Sequence, residues 1–306
     1  MSWKPIVAGV DASVEAAAAA AFALRTAERA GTTCQLVHAT RDVVGSPHAP
    51  AVNNYRGELL EQARADLAAV LSDVIPPQAL KTLAVRLGSA PRVLQDAAAD
   101  YGAELIVLGG KRHSVLNRWL GGSTSLDVAR TTTVPLFVTA GPVPALRHVL
   151  VAVDLSGAAR PTLAAAQRYA ALFGAELRAL SVHEPIPVIP EATPPYEAMQ
   201  YYEMANELLE RDVWPLIPTA GVEKIVRHGM AVETILREAT EWRADLLVVG
   251  SHGKGWAERL LVGSVTERLL NHLPTSLLVV PTRVAAAATV EPSREVGTPQ
   301  PTVAIA

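Results

Sequence analysis

Residues 246–256 have the sequence LLVVGSHGKGW, and residues 263–266 have the sequence GSVT. A run of Leu and Val that ends on glycine is typical of a strand buried on both faces, as in parallel sheets. The glycines that follow allow backbone N–H groups to approach a phosphate without a Cβ in the way. Ser264 can cap the next helix, whose free N–H groups favour an anion. Because glycine-rich loops alone are weak motifs, the segment indicates either a phosphate cradle or a plain strand–loop–helix turn.

The composition is that of a folded globular protein without a strong charge bias. The chain has 306 residues, room for two ordinary domains, with 50% hydrophobic and 19% charged residues. The net charge is −3 without a basic block, which argues against nucleic acid or an anionic membrane as a partner. The apolar run at residues 16–24 is too short to span a bilayer and lacks the features of a signal peptide. Cys34 is the single cysteine, so we expect no disulfide and a cytoplasmic location.

An internal repeat organises the chain, because the landmarks of the first half recur in the same order in the second. The repeated pairs are Asp11 and Asp154, His38 and His183, Gly88 and Gly229, Gly109 and Gly250, and Gly122 and Gly263. Strands alternate with helices in both halves, which predicts right-handed crossovers and a parallel sheet in each. We therefore expect two α/β domains at residues 1–141 and 146–283, followed by a flexible tail at residues 284–306.

Local patterns predict where several helices begin and end. We expect a helix at residues 14–30 that is capped by Ser13, then a loop at residues 42–54 and a helix at residues 58–71. In the second half a helix is expected from Tyr196 to Trp214, and its aromatic and methionine residues are more typical of core than of interface. The five prolines in the stretch from Pro185 to Pro195 predict a mobile flap beside the ligand pocket.

These ordered landmarks resemble the universal stress protein family, and more specifically its tandem-domain members from actinobacteria. The resemblance rests on the strand-end aspartates and on the spacing Gly250-x2-Gly253-x9-Gly263-Ser264, and it covers residues 4–140 and 147–282. It implies two Rossmann-like domains of the adenine nucleotide alpha hydrolase type, each a five-stranded parallel sheet with helices on both faces. It also implies that the edges of the two fifth strands pair, and that ATP binds beyond the carboxyl ends of the strands. Whether Mg²⁺ accompanies the nucleotide is open.

In the second domain, the resemblance assigns a part of the nucleotide to each group of residues. The strand-end aspartate would approach the adenosine, the backbone of Val182 would meet the adenine edge, and the glycine-rich loop and next helix would bind phosphate. The residues implied for this main ATP site are Ala152, Asp154, Val182, Gly229, Gly250, Ser251, His252, Gly253, Lys254, Gly255, Trp256, Gly263, Ser264, Val265 and Thr266.

The first domain departs from the family pattern at the second glycine of the loop. Arg112 stands there, and its side chain either obstructs the approach of a phosphate or, with Lys111, replaces N–H contacts with cationic ones. ATP binding in this domain is therefore open, and we expect the second site to be the stronger. The corresponding residues are Gly9, Asp11, Val37, Gly88, Gly109, Gly110, Lys111, Arg112, Gly122, Ser123 and Thr124.

The resemblance implies an ATP-binding regulator of a stress or dormancy response rather than a fast enzyme. The loop is not a Walker A sequence and no nucleophile elbow is present, so no catalytic residue is assigned. The eight histidines show no metal-ligand spacing, and His38 and His183 are interpreted as strand-end residues at the surface or near the adenine pocket. A slow ATP hydrolase and a nucleotide-free scaffold stay open as alternatives. A regulatory protein partner and a homodimer of tandem chains stay open as well.

Overall fold

The computed structural model describes residues 2–41, 50–110, 124–185, 195–217, 221–252 and 262–282. In the first domain the elements are β1 (Ile6–Gly9), α1 (Val14–Ala30), β2 (Cys34–Thr40), α2 (Pro50–Leu71), α3 (Pro77–Lys81), β3 (Ala84–Leu87), α4 (Ala90–Asp100), β4 (Leu105–Gly109), α5 (Thr124–Thr131) and β5 (Leu136–Thr139). In the second they are β6 (His148–Ala152), α6 (Ala159–Phe173), β7 (Glu176–His183), α7 (Pro195–Leu208), β8 (Glu223–His228), α8 (Ala231–Glu241), β9 (Leu246–Gly250), α9 (Ser264–His272) and β10 (Ser276–Val280).

The described strands form a single sheet of ten, in the order β3-β2-β1-β4-β5-β10-β9-β6-β7-β8. Neighbours within each domain are parallel, whereas β5 and β10 pair antiparallel with Phe137 opposite Leu278. The predicted fold of two five-stranded parallel sheets is therefore confirmed, and so is the pairing of the fifth strands. Because β5 and β10 cover each other, the edges of the sheet are β3 and β8.

The core is continuous across the junction between the domains. Phe137 on β5 is fully buried, and its ring centroid lies 4.5 Å from that of Phe22 on α1 and 6.0 Å from that of Tyr169 on α6. On the surface of the junction, Arg168 of α6 donates two hydrogen bonds of 2.7 and 3.0 Å to the carboxylate of Glu104. Aromatic packing and charge-assisted hydrogen bonds thus join the halves across the central strand pair.

Helix α1 is confirmed at the predicted bounds, with its caps. The Ser13 hydroxyl accepts the N–H of Ala16, and Gly31 ends the helix with a φ of 65°. The predicted loop at residues 42–54 is wrong in its last part, because α2 already begins at Pro50. Proline is a turn residue in most sequence patterns, but at the first helical position its missing N–H costs nothing.

The helix predicted from Tyr196 to Trp214 is α-helical only as far as Leu208. A π turn at Leu209–Val213 and a 3-10 turn at Trp214–Leu216 continue it, and Pro215 in the latter cannot donate an α-helical hydrogen bond. The later residues are core, since Leu209, Val213 and Trp214 are buried, but three large side chains on α7 are exposed: Met199, Tyr201 and Met204.

Two further expectations from the sequence concern the proline-rich flap and the lack of a membrane-spanning segment. The flap predicted between Pro185 and Pro195 lies outside the described residues except at its two ends. In the part of the chain that the structure covers, no helix combines the length and apolar character needed to cross a membrane.

Candidate nucleotide sites at the strand ends

Each domain has a cavity beyond the carboxyl ends of its parallel strands, where the strand order reverses. The first-domain cavity, beyond β1, β2 and β4, has a volume of about 430 Å³. The second-domain cavity, beyond β6, β7 and β9, has a volume of about 350 Å³. Open parallel sheets bind ligands at this position, and the repeat in the sequence predicts one such place in each domain.

The strand-end aspartates shape the loops that begin each cavity. In the second domain, Asp154 accepts hydrogen bonds from the backbone N–H of Ser156 at 3.1 Å and from its hydroxyl at 2.5 Å. In the first domain, Asp11 makes the same two contacts with Ser13. Each carboxylate therefore forms an Asx turn within its loop, and each aspartate lines the cavity of its domain.

The β7 end of the second cavity combines backbone, carboxylate and aromatic groups. Val182 lines it as predicted, together with His183, Glu184 and Tyr201. Glu184 accepts the first backbone N–H of α8, from Ala231, at 3.0 Å. The His183 side chain is buried and its ring is parallel to that of Tyr202 at 6.1 Å between centroids.

Glu184 and Tyr201 were not identified from the sequence. Glu184 directly follows a predicted strand end, which is the signal that could have found it. Tyr201 comes from a helix distant in sequence, so no local signal marks it. The predicted site glycines Gly88 and Gly229 form the turns after β3 and β8, with φ of 139° and 142°, and do not line the described cavity walls.

The opposite end of the second cavity is formed by the end of β9 and the start of α9. It is lined by six of the residues predicted to bind ATP: Gly250, His252, Gly263, Ser264, Val265 and Thr266. The predicted cap at Ser264 is wrong by one residue, because Gly263 holds the cap position with φ −61° and ψ 149°. The N–H of Gly263 donates to the carbonyl of Ser251 at 2.8 Å, which fixes this extended residue and makes Ser264 the first helical residue.

Thr266 holds α9 against the sheet. Its side chain is buried, and its hydroxyl donates to the carbonyl of Gly250 at 2.8 Å. The hydroxyl proton is therefore engaged within the protein. At the start of α9, Ser264 and Val265 also line the cavity, and the side chain of Ser264 is exposed.

Ser251 and His252 form a hydrogen-bonded pair at the end of β9. The hydroxyl of Ser251 lies 2.9 Å from Nδ1 of His252 and accepts the N–H of Thr282 at 3.0 Å. Burial lowers the pKa of His252, so the imidazole is neutral at pH 7. Thr282 follows β10, and its part in this network was not predicted because it comes from a neighbouring strand.

Several predicted phosphate-loop residues lie outside the described part of the chain. They are Lys111, Arg112, Gly122 and Ser123 in the first domain, and Gly253, Lys254, Gly255 and Trp256 in the second. Among the described residues that line the second cavity, the acidic and basic side chains other than histidine are those of Asp154 and Glu184.

The first cavity contains most of the predicted residues of its domain that the structure describes. Gly9, Asp11, Val37, Gly109, Gly110 and Thr124 all line it, together with Glu15 and His38. The walls are close at the end of β4, since a Cβ on Gly109 would lie 2.5 Å from the carbonyl carbon of Glu15. At Gly250, the equivalent glycine of the second domain, the nearest atom would be the Cβ of Ala158 at 3.1 Å.

The second domain supplies part of the first cavity's wall. Leu270 and Leu273, from the end of α9, line it beside Val138 and Gly110. Leu273 has a φ of 38°, and a Cβ on Gly110 would lie 2.2 Å from the Cδ2 of Leu273. The sequence contains no local signal for this contact, because it depends on how the two domains pair.

The universal stress protein family model matches this chain twice, at residues 2–140 and at residues 145–281. The chain belongs to the universal stress protein family. This tandem universal stress protein is 30% identical over 288 residues to a universal stress protein of Mycolicibacterium smegmatis, with 90% of this chain and 96% of that protein covered. It is 28% identical over 302 residues to one of Mycobacterium tuberculosis, with 90% and 95% covered.

The fold is similar to that of a solved universal stress protein from Archaeoglobus fulgidus. The two share a TM-score of 0.60 and 17% sequence identity, over 90% of this chain and 98% of that one. This likeness extends across both domains, in agreement with the two matches of the family model.

Proposed function

We propose that this universal stress protein is an ATP-binding regulator of a stress response, and that its main nucleotide site is the second-domain cavity. One observation carries the proposal. The carboxylate of Asp154, the β7 end at Val182 and the start of α9 at Ser264 and Val265 border a single cavity of about 350 Å³. A base edge, a sugar hydroxyl and a phosphate require these three kinds of partner, and the strands β7, β6 and β9 that carry the partners lie in that order along the sheet end.

The start of α9 supports the phosphate end of the site. The first N–H groups of a helix have no partner within the helix, and the helix dipole adds positive potential there. Gly263 precedes this turn in an extended conformation, and Thr266 fixes the helix to Gly250. Donors on a helix that is held in this way need little rearrangement to bind a phosphate, which favours affinity.

The other end of the cavity suits a base and sugar. Val182 offers backbone groups, Tyr201 and Ile235 offer apolar surface, and the Asp154 carboxylate accepts hydrogen bonds from hydroxyl groups. These contacts provide binding and orientation. They support nucleotide binding as the function of the site.

The variant Ser264→Glu tests the proposal. The side chain of Ser264 is exposed at the first position of α9, so a carboxylate there suits the helix dipole and preserves folding. It would repel a phosphate, and we expect ATP affinity at the second site to fall by at least about tenfold in titration calorimetry. Thr124→Glu, at the first position of α5, is the matched control and should leave the stronger site unchanged.

Unchanged ATP affinity in Ser264→Glu would contradict the proposed site. The nucleotide released from the purified protein by denaturation, separated by chromatography, distinguishes the alternatives. A slow ATP hydrolase would show sustained phosphate release that Ser264→Glu abolishes. A nucleotide-free scaffold would bind no ATP in any form. Gly253→Arg and Arg112→Gly complete the set, since we expect the first to remove most ATP binding and the second to alter only a weak first site.

A further inference from the structure

The ends of two neighbouring strands meet beside the phosphate end of the second cavity. Ser251 follows β9, Thr282 follows β10, and these strands pair in parallel with Val280 opposite Gly250. The side chain of Ser251 is buried, and its hydroxyl contacts the N–H of Thr282 at 3.0 Å and the Thr282 hydroxyl at 3.2 Å. Its third neighbour is Nδ1 of His252 at 2.9 Å.

The number of protons available limits how these groups can bond. The Ser251 hydroxyl has one proton to donate and two lone pairs to accept with. The N–H of Thr282 occupies one lone pair, and the Thr282 hydroxyl can occupy the other. When the Thr282 hydroxyl donates to Ser251, the Ser251 proton is left for Nδ1 of His252, and the shorter length of that contact favours this arrangement. A neutral imidazole that accepts at Nδ1 carries its own proton on Nε2.

Nε2 of His252 has no hydrogen-bond partner among the described residues. This atom is buried, and His252 is one of the residues that line the second cavity. A buried donor without an acceptor destabilises the protein, so such groups are normally satisfied by a ligand or by water. Gly250 and the start of α9 line the same cavity, at the end that we assign to phosphate.

We propose that Ser251 and Thr282 hold His252 in the tautomer with its proton on Nε2, so that this N–H donates to a phosphate oxygen of the bound nucleotide. The inference rests on the proposed function and adds a specific contact to it. His252 is then a neutral, directional donor in a site whose described walls carry the carboxylates of Asp154 and Glu184. Ser251 is a positioning residue that acts through His252.

The first domain cannot build this arrangement. The residue equivalent to Ser251 is Gly110, which has no hydroxyl and against which the side chain of Leu273 packs. The residue equivalent to Thr282 is Gly141. The hydrogen bonds of Ser251 with Thr282 and His252 are therefore a property of the second site.

Two variants of His252 with matched side chains test the contact. His252→Asn keeps a polar group near the Nδ1 position but removes the donor at Nε2, whereas His252→Gln places an amide N–H near Nε2. A hydrogen bond to a charged group contributes about 1.5–3 kcal/mol, so His252→Asn should weaken ATP binding about 10- to 100-fold while His252→Gln keeps most of it. Adenosine, which has no phosphate, should bind both variants as it binds the unaltered protein.

The results separate this inference from the proposed function. If the unaltered protein binds no ATP in calorimetry, both are overturned. If ATP binds and His252→Asn leaves its affinity unchanged, or lowers ATP and adenosine affinity equally, the inference alone is overturned. An expected loss of ATP affinity without a loss of adenosine affinity supports it.

Ser251→Ala tests the positioning role through a spectroscopic signature. In the unaltered protein, the ¹⁵N chemical shifts of the His252 ring should report a proton on Nε2. In Ser251→Ala the ring should become a mixture of tautomers, and ATP affinity should fall by a few-fold. A ring protonated on Nδ1 in the ATP-bound unaltered protein would overturn the inference.

Discussion

At the end of β9 the residue after Gly250 is Ser251, which binds Thr282 and His252; at the end of β4 the residue after Gly109 is Gly110, on which Leu273 packs. The two positions are equivalent in the repeat. One builds a polar network beside a cavity, and the other admits a leucine from the opposite domain. A single side chain at the strand end thus changes which groups lie beside the neighbouring cavity, while the sheet around it stays the same.

The loops after the first strand of each domain also differ. Helix α1 begins at Val14, close behind Asp11, whereas α6 begins at Ala159, after a longer turn from Asp154. The shorter turn brings the backbone of Glu15 against Gly109. In the first cavity the backbone of α1 therefore contacts the end of β4. In the second cavity the nearest atoms at the end of β9 belong to side chains.

The largest expected effect comes from adding a methyl group at these two strand ends. Gly109→Ala would place its Cβ 2.5 Å from the backbone of Glu15, so α1 must shift, and we expect a loss of about 3 kcal/mol in the free energy of unfolding. Gly250→Ala meets the Cβ of Ala158 at 3.1 Å and should cost about 1 kcal/mol or less. Urea unfolding followed by circular dichroism measures both. Equal losses would mean that the two strand ends are packed alike.

A smaller loss in the free energy of unfolding is expected when the ion pairs of the outer strands, β3 and β8, are removed. Arg227 on β8 donates to Glu238 of α8 at 2.5 Å, and this carboxylate is buried. The equivalent arginine of the first domain, Arg86, instead pairs at 2.6 Å with the exposed Asp100, a contact that raises the pKa of Arg86 against the opposing effect of burial.

Removing each carboxylate compares these arrangements directly. Glu238→Ala should lower the free energy of unfolding by about 2 kcal/mol, below the cost for a fully buried pair because Arg227 can turn to solvent. Asp100→Ala should cost less than about 1 kcal/mol, as exposed ion pairs do. Urea midpoints of the two variants provide the measurement, and a loss at Asp100 as large as that at Glu238 would contradict the comparison.

The last comparison uses the unaltered protein and measures the reactivity of its cysteine. Cys34 on β2 is opposite Ile6, and the equivalent residue in the second domain is Leu177, so a thiol reagent reports on the first domain alone. Burial raises the pKa of Cys34 to about 12, which keeps the thiol protonated at pH 8.

Because the thiolate is the reactive form, alkylation by iodoacetamide at pH 8 should be roughly a thousandfold slower in the folded protein than in urea. The rate should rise as pH approaches the raised pKa. Mass spectrometry of timed samples gives the rate. Labelling of the folded protein as fast as that of the unfolded chain would show that the β1–β2 region opens freely.

Much of the fold follows from local sequence. The apolar run at Leu246–Gly250 and its repeat at Leu105–Gly109 predict buried parallel strands, and Ser13 and Gly31 predict the two ends of α1. The start of α2 at Pro50 was missed because proline is favoured both in loops and at the first position of a helix.

The site could be predicted only as far as its local parts. Asp154, Val182 and the start of α9 lie at strand or helix ends that the sequence marks, and the topology brings them together. Thr282 and Leu273 could not be found in this way. Their roles depend on which strand lies beside β9 and on how α9 meets the first domain, and both are settled by packing over long distances in the chain.

The antiparallel pairing of β5 with β10 has a consequence for how such a protein can evolve. When two identical domains pair about a twofold axis, every substitution appears in both copies and the two sites must change together. Here each half of the chain has its own sequence, but the two halves pack as such a pair. Ser251 and Gly110 could therefore diverge under different selective pressures, with each half free to specialise while the other preserved the shared assembly.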